Sequence, residues 1–370
     1  MQADPATTLV AEELDRAGFD ALAPAWDAAL EQARRPEPFY RHHFLSAWLD
    51  HFAPEERLRV FVAREQGRLV AALPLVEDRP RFYGVKVRRL RAPANVHSNR
   101  FDLLLEPGRE DALKALWSHL RASAEFDVLE IPDVPEQGAA RKLLPLAEAA
   151  GLTTGQWESM RSPYVPLEGG WTAVSARLDA RFRQNMRRRR RKLEQRGPVE
   201  LERVEGGRDL ERYLEEGFEL ERAGWKGRES TAIASDPVTR GFYAELARRE
   251  ATRGRLSLYF LRLSGRAVAF QFGLADATTY WLPKTGYDES LAECSPGQLL
   301  AEAVLRDCAA RGLAEFDFLG PAMSWKSDWT AASRVHDWLY VFGTSPAARW
   351  AHRVKFGLAP AVREVLRWKP

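Results

Sequence analysis

The sequence repeats itself, and this constrains the fold more than any other feature. Leu58 to Leu73 reads LRVFVAREQGRLVAAL, and at an offset of 198 Leu256 to Gln271 reads LSLYFLRLSGRAVAFQ. Each has an apolar run, a short polar turn at Gly67-Arg68 or Gly265-Arg266, and a second apolar run, which is a β-hairpin signature. Pro107-Gly108 ahead of a helix-like stretch recurs as Pro296-Gly297 at an offset of 189, and AEFDVL at 124–129 recurs as AEFDFL at 314–319 at an offset of 190. Three collinear matches at nearly constant offset mark a duplicated domain.

A chain of 370 residues exceeds what one core usually spans, in agreement with two copies. The second copy predicts a short strand at 199–204, helices over 208–224 and 236–253, and strands at 256–263, 267–275 and 278–284. A helix then starts near Ser295, and a strand over Glu315–Leu319 ends at Gly320. Strands grouped around helical pairs imply an α/β or α+β fold with a mixed sheet. Gly155, Pro163, Pro166, Gly169 and Gly170 mark the junction, so the expected domains are 1–165 and 166–345. A basic amphipathic tail, 346–370, follows; it is expected to pack on the body, with peripheral membrane contact as the alternative.

Net charge is +3, yet residues 177–196 hold ten Lys/Arg against Asp179 and Glu194. The remainder is therefore acidic, at −5, and the basic character belongs to one segment. Cys294 and Cys308 have neither metal-ligand nor disulfide spacing. The histidines form no ligand pattern, so no metal is expected, and no G-x-S-x-G elbow supports a serine hydrolase. The N-terminus lacks a secretory pattern and no run of about 20 apolar residues is present, which makes the reducing cytoplasm the expected location.

Several short motifs occur in a telling order: GRLVAALPL, RFRQNMRRRRRKLEQRG, GWKG at 224–227, YDESLAECSPGQLL and EFDFLGPAMSWKSDW. Together, over roughly residues 8–335, they resemble the CelD/BcsL-type acetyltransferases of the GNAT superfamily, distant relatives of the FemABX aminoacyltransferases. The resemblance implies tandem duplicated GNAT-like domains, each a mixed β-sheet flanked by helices, with the active site in the second. It also implies an acyltransferase using acetyl-CoA or another acyl-CoA, in a family associated with exopolysaccharide production. The usual Q/R-x-x-G-x-G/A loop is missing, and SPGQLL stands in its place.

Five groups of residues are candidates for chemistry. Ser295, Gly297 and Gln298 open a helix whose N–H groups suit a pyrophosphate; equally, Ser295 is a helix cap followed by Pro296. Lys284, Tyr287 and Asp288 end a strand that, by the resemblance, splays from its neighbour and lines the acceptor tunnel. Tyr287 there is placed to protonate a leaving thiolate, and a solvated hairpin end is the plain alternative. Asp317 lies between Phe316 and Phe318, where burial demands a partner, either Lys326 or a basic residue from the other domain. It is a general-base candidate, although Asp127 at the equivalent place favours a structural role. Arg183, Asn185 and the arginine run suit an anionic ligand, namely CoA, a phosphorylated saccharide, a membrane or tRNA, or else form a solvated helix face. Trp225 and Lys226, after a helix rich in Glu215, Glu216, Glu219 and Glu221, face the acceptor cleft by resemblance or else cap that helix. Three functions follow: acyl transfer to an amine or hydroxyl, aminoacyl-tRNA-dependent ligation, and a non-catalytic part of a polysaccharide-synthesis complex.

Overall fold

The computed structural model describes residues 9–32, 36–223 and 233–358. In chain order the elements are β1 (Leu9–Leu14), α1 (Arg16–Ala21), α2 (Ala23–Glu31), α3 (His42–Phe52), β2 (Arg57–Glu65), β3 (Arg68–Asp78), β4 (Arg89–Arg91), β5 (Leu104–Leu105), α4 (Glu110–Ser123), β6 (Val128–Pro135), α5 (Leu143–Ala149) and β7 (Thr153–Pro166). They continue as α6 (Gly170–Arg177), α7 (Ala180–Glu194), β8 (Val199–Val204), α8 (Leu210–Ala223), α9 (Pro237–Ala251), β9 (Leu256–Leu263), β10 (Arg266–Ala275), β11 (Thr279–Tyr287), α10 (Pro296–Ala310), β12 (Glu315–Asp317), α11 (Ser324–Ser327), β13 (Ser333–Phe342) and α12 (Pro346–His352).

Contacts divide the chain into Met1–Ser159 with Val335–Pro370, and Met160–Arg334. The boundary expected at 165 thus falls inside β7. The residues after 334 group with the first unit, not with 166–345. Within the first unit the strand order is β1-β2-β3-β4-β6-β13, antiparallel except for the parallel pair β4–β6. Within the second it is β8-β9-β10-β11-β12-β7, antiparallel except for β11–β12. The two topologies are the same, strand for strand. Each sixth strand comes from the other end of the repeat: β13 closes the first sheet, and Tyr164–Pro166 of β7 close the second.

The duplication extends to fine detail. Both hairpins turn through two positive-φ residues, Gln66 (50°) and Gly67 (82°), and Ser264 (51°) and Gly265 (80°). Such paired values match the right-handed twist of the flanking strands. Both carry an irregularity at the same place, between Ala63 and Arg64 and between Leu261 and Arg262. In both, the arginine donates to the turn glycine carbonyl, at 3.3 Å and 3.2 Å.

The second core lies where Leu299, Leu300, Val304 and Leu305 of α10 meet Tyr259, Tyr280 and Phe316 of the sheet. Each such buried side chain contributes about 2 kcal/mol. On α7, Phe182, Met186 and Leu193 form the buried stripe and turn the arginines outward or to the flanks. In the first unit, Phe356 of the tail packs near Tyr340 and Phe342, at ring separations of 5.7 Å and 6.0 Å. Residues 359–370 of the expected tail lie outside the described residues.

Candidate active site

The mouth of α10 is open. Pro296 occupies its first position, where no amide is lost. Ser295 ahead of it is left-handed (φ 49°, ψ 57°), an uncommon conformation for a residue with a side chain. Its hydroxyl donates back to the Ala292 carbonyl at 3.3 Å and makes no cap, so the capping bond expected of Ser295 is not formed. The amides of Gln298 and Leu299 donate to the Ser295 carbonyl, at 3.0 Å and 3.1 Å, while that of Gly297 has no partner among the described residues. No acid sits in the first turn. The partial positive charge of the helix end therefore has no competing carboxylate of its own. A Cβ on Gly297 would lie 3.2 Å from Cδ1 of Tyr287, which places that half-buried ring beside the mouth.

Next to it β11 parts from β12. The parallel pairing covers only Thr279–Trp281 with Glu315–Asp317. Beyond it Leu319 (φ 53°) and Gly320 (φ 58°) turn the chain left-handed, which ends β12 two residues before the expected Leu319. From Lys284 to Tyr287 β11 pairs with β10 on one edge, and from Leu282 to Tyr287 it has no β12 residue paired on the other. One extra residue sits between the pairs Leu274–Trp281 and Phe272–Lys284. A bulge of this kind re-aims side chains. Leu282 stays in the core under α10, whereas Lys284 points toward α9, its Nζ 5.5 Å from the Tyr243 ring centre.

Several expected roles change. Asp317 is fully buried, forms an ion pair with Arg334 at 3.3 Å and accepts from the Leu319 amide at 2.9 Å. Lys326 donates instead to the carbonyls of Leu319 (2.5 Å) and Pro321 (3.0 Å), pinning the turn after β12. Gln298 spends its side chain on the 325–329 segment: it donates to the Trp325 carbonyl at 3.2 Å and accepts from Trp329 Nε1 at 2.6 Å. Burial pushes the Asp288 carboxyl up, but the bonds from Ser290 and the charge of Arg266 outweigh it and hold the group below its ordinary range. A carboxylate so held is a poor proton shuttle.

On α7, Lys192 and Arg196 pair with Glu293 and Arg190 with Glu302. Among the described residues no carboxylate pairs with Arg181, Arg183, Arg187, Arg188, Arg189 or Arg191. Arg183 and Asn185 flank the buried stripe and are half exposed. Trp225 and Lys226 lie outside the described residues. Ahead of them, Glu221, one of the four glutamates that the sequence places on this helix, is 1% exposed. The signal was there: it continues the stripe Leu210, Leu214, Phe218 at helical spacing. Among the described residues no group of three or more His, Cys, Asp or Glu side chains is placed to hold a metal ion.

The corresponding helix start in the first copy carries acids. Glu110 and Asp111 stand in the first turn of α4. Between Arg91 and Leu104 run twelve residues, 92–103, where the second copy has four, 282–285, between Trp281 and Gly286. Half of that insertion is buried, with Arg100 and Phe101 at 2% and 1% exposure and an Arg100–Glu37 ion pair at 3.2 Å, while Val96 is exposed.

A family model described as an acetyltransferase (GNAT) domain matches residues 180–327, the stretch from α7 to α11. The crystal structure of FemX is similar over 93% of this chain and 99% of its own, with TM-score 0.59 and 10% identity. A tandem GNAT protein from the clavulanic acid biosynthesis pathway is similar over 91% and 100%, with TM-score 0.50 and 17% identity. A conserved protein of unknown function from Bacteroides thetaiotaomicron is similar over 91% and 100%, with TM-score 0.54 and 10% identity. A search of the curated proteins found no match. The fold is thus that of tandem GNAT-like domains, each a mixed sheet flanked by helices, as the repeat and the resemblance implied.

Proposed function

We propose that the protein is an acyltransferase whose second copy moves an acyl group from acetyl-CoA or another acyl-CoA to an amine or hydroxyl, the acceptor being an exopolysaccharide or its precursor. The observation that carries this reading is the uncapped, acid-free mouth of α10 beside the unpaired edge of β11. A pyrophosphate seats on the Gly297 amide, and the acyl arm runs along Leu282–Tyr287, where strand amides polarise the thioester carbonyl. Tyr287 protonates the departing thiolate, and Lys284 contacts the acceptor. Asp317, Lys326 and Gln298 hold the walls. Holding both substrates in one cleft supplies much of the acceleration. The saccharide acceptor rests on the CelD/BcsL-type resemblance. Isothermal titration tests the reading: acetyl-CoA binds at one site per chain, and absence of binding by acetyl- and longer acyl-CoA alike overturns it.

The α7 arginines that pair with no carboxylate among the described residues favour a second reading, aminoacyl-tRNA as donor. It requires binding to RNA that weakens steeply as salt rises.

A further inference from the structure

Glu221 lies on the opposite side of β11 from the mouth of α10. Its neighbours on α8 are surface acids with surface partners: Glu215 pairs with Arg240, Glu216 with Arg262 and Glu219 with Arg222. Glu221 alone among the four is enclosed, and one of its oxygens accepts from the Ile233 amide at 2.9 Å. A leucine at this position would continue the stripe equally well, so the packing of α8 does not itself call for a carboxylate. The strand has been cut away to admit the residue. A Cβ on Gly286 would come within 2.6 Å of Glu221 Cα.

Consecutive residues of a strand point to opposite faces. Gly286 therefore meets Glu221 on the α8 face, and Tyr287 meets Gly297 on the α10 face. Both lie where β11 has no β12 partner, so the two faces adjoin at the open edge. Lys284, re-aimed by the bulge, and Tyr243 of α9 share the Glu221 side. Burial and, next, the charge of Glu221 push the Tyr243 hydroxyl well above its ordinary range, which keeps it a neutral donor.

We propose that the acceptor enters from the α8–α9 face and that Glu221 takes the proton from its attacking nitrogen or oxygen. This inference rests on the acyl-transfer reading above. The nucleophile forms its bond to the thioester carbonyl carbon and the carbon–sulfur bond breaks. The acceptor's proton passes to the Glu221 carboxylate. The thiolate takes a proton from Tyr287, and both groups return to their starting states by exchange with water.

The test uses acetyl-CoA with glucosamine, a probe that carries both an amine and hydroxyls, or with water alone, and follows thiol release. Wild type, Glu221→Gln and Glu221→Asp are compared across pH, with acetyl-CoA affinity measured in parallel. The expected result is a loss of about 100-fold or more in kcat for Glu221→Gln, the range of general-base effects. Its acetyl-CoA affinity stays unchanged and the acidic limb of the pH profile disappears, while Glu221→Asp keeps that limb. A folded Glu221→Gln that retains the limb, at whatever rate, overturns the inference and leaves the donor site standing. A wild type that binds no acyl-CoA overturns the donor reading instead.

Discussion

The first copy and the second share strand order, hairpin turn, irregularity and even the arginine that braces the turn, yet they treat one position in opposite ways. In the second, the helix after the fourth strand begins without a cap or an acid, and that strand stands clear of its parallel neighbour. In the first, Glu110 and Asp111 supply negative charge at the helix start, and the inserted residues 92–103 pack against Glu37, Phe52 and Ala139–Ala140. Leu104 and Leu105 stand where the second copy has Gly286 and Tyr287. The difference teaches that a duplicated scaffold keeps its framework while the charge at a helix start and the length of the adjoining strand connection diverge.

Making the second copy resemble the first breaks it, and the largest effect comes at Gly286. Gly286→Leu forces a side chain into the Glu221 backbone and destabilises the protein by about 3 kcal/mol, read from urea denaturation. Gly297→Asp places a carboxylate in the mouth of α10. It weakens acetyl-CoA binding about 100-fold by titration, with thermal stability little changed.

Asp102 sharpens the comparison from the other side, because it lies in the stretch that the first copy has inserted. Burial pushes its pKa up to about 6, against the opposing bonds from the amides of Ala140, Ala139 and Leu103. With the folded value above the unfolded one, the native state holds the extra proton between roughly pH 4 and 6, so stability falls as pH rises through that window. Relative to Asp102→Asn, wild type loses on the order of 2 kcal/mol from pH 4 to pH 7, measured by paired urea denaturation curves. The smallest effect is expected at the first helix mouth: Glu110→Gln with Asp111→Asn leaves acetyl-CoA affinity unchanged in the same titration.

The repeat made the architecture legible, because short offsets expose a copied topology directly. The Ser295-Pro296-Gly297 helix start was legible too, since proline and glycine punctuate the chain in ways a sequence displays. What stayed hidden depends on three-dimensional neighbours. Nothing in the sequence says that Asp317 pairs with Arg334, seventeen residues on, or that Lys326 bonds carbonyls. The exchange of β7 and β13 between the sheets was equally invisible, since each strand looks like the end of its own copy. Glu221 lies between these cases. Its place on the apolar stripe was readable, but only Gly286 explains how an acid fits there.

A crystal structure with acetyl-CoA bound tests the asymmetry between the copies most directly. The account predicts a single cofactor, its pyrophosphate on the Gly297 amide and its pantetheine along Leu282–Tyr287. Cofactor at the start of α4, or at both helix starts, contradicts it.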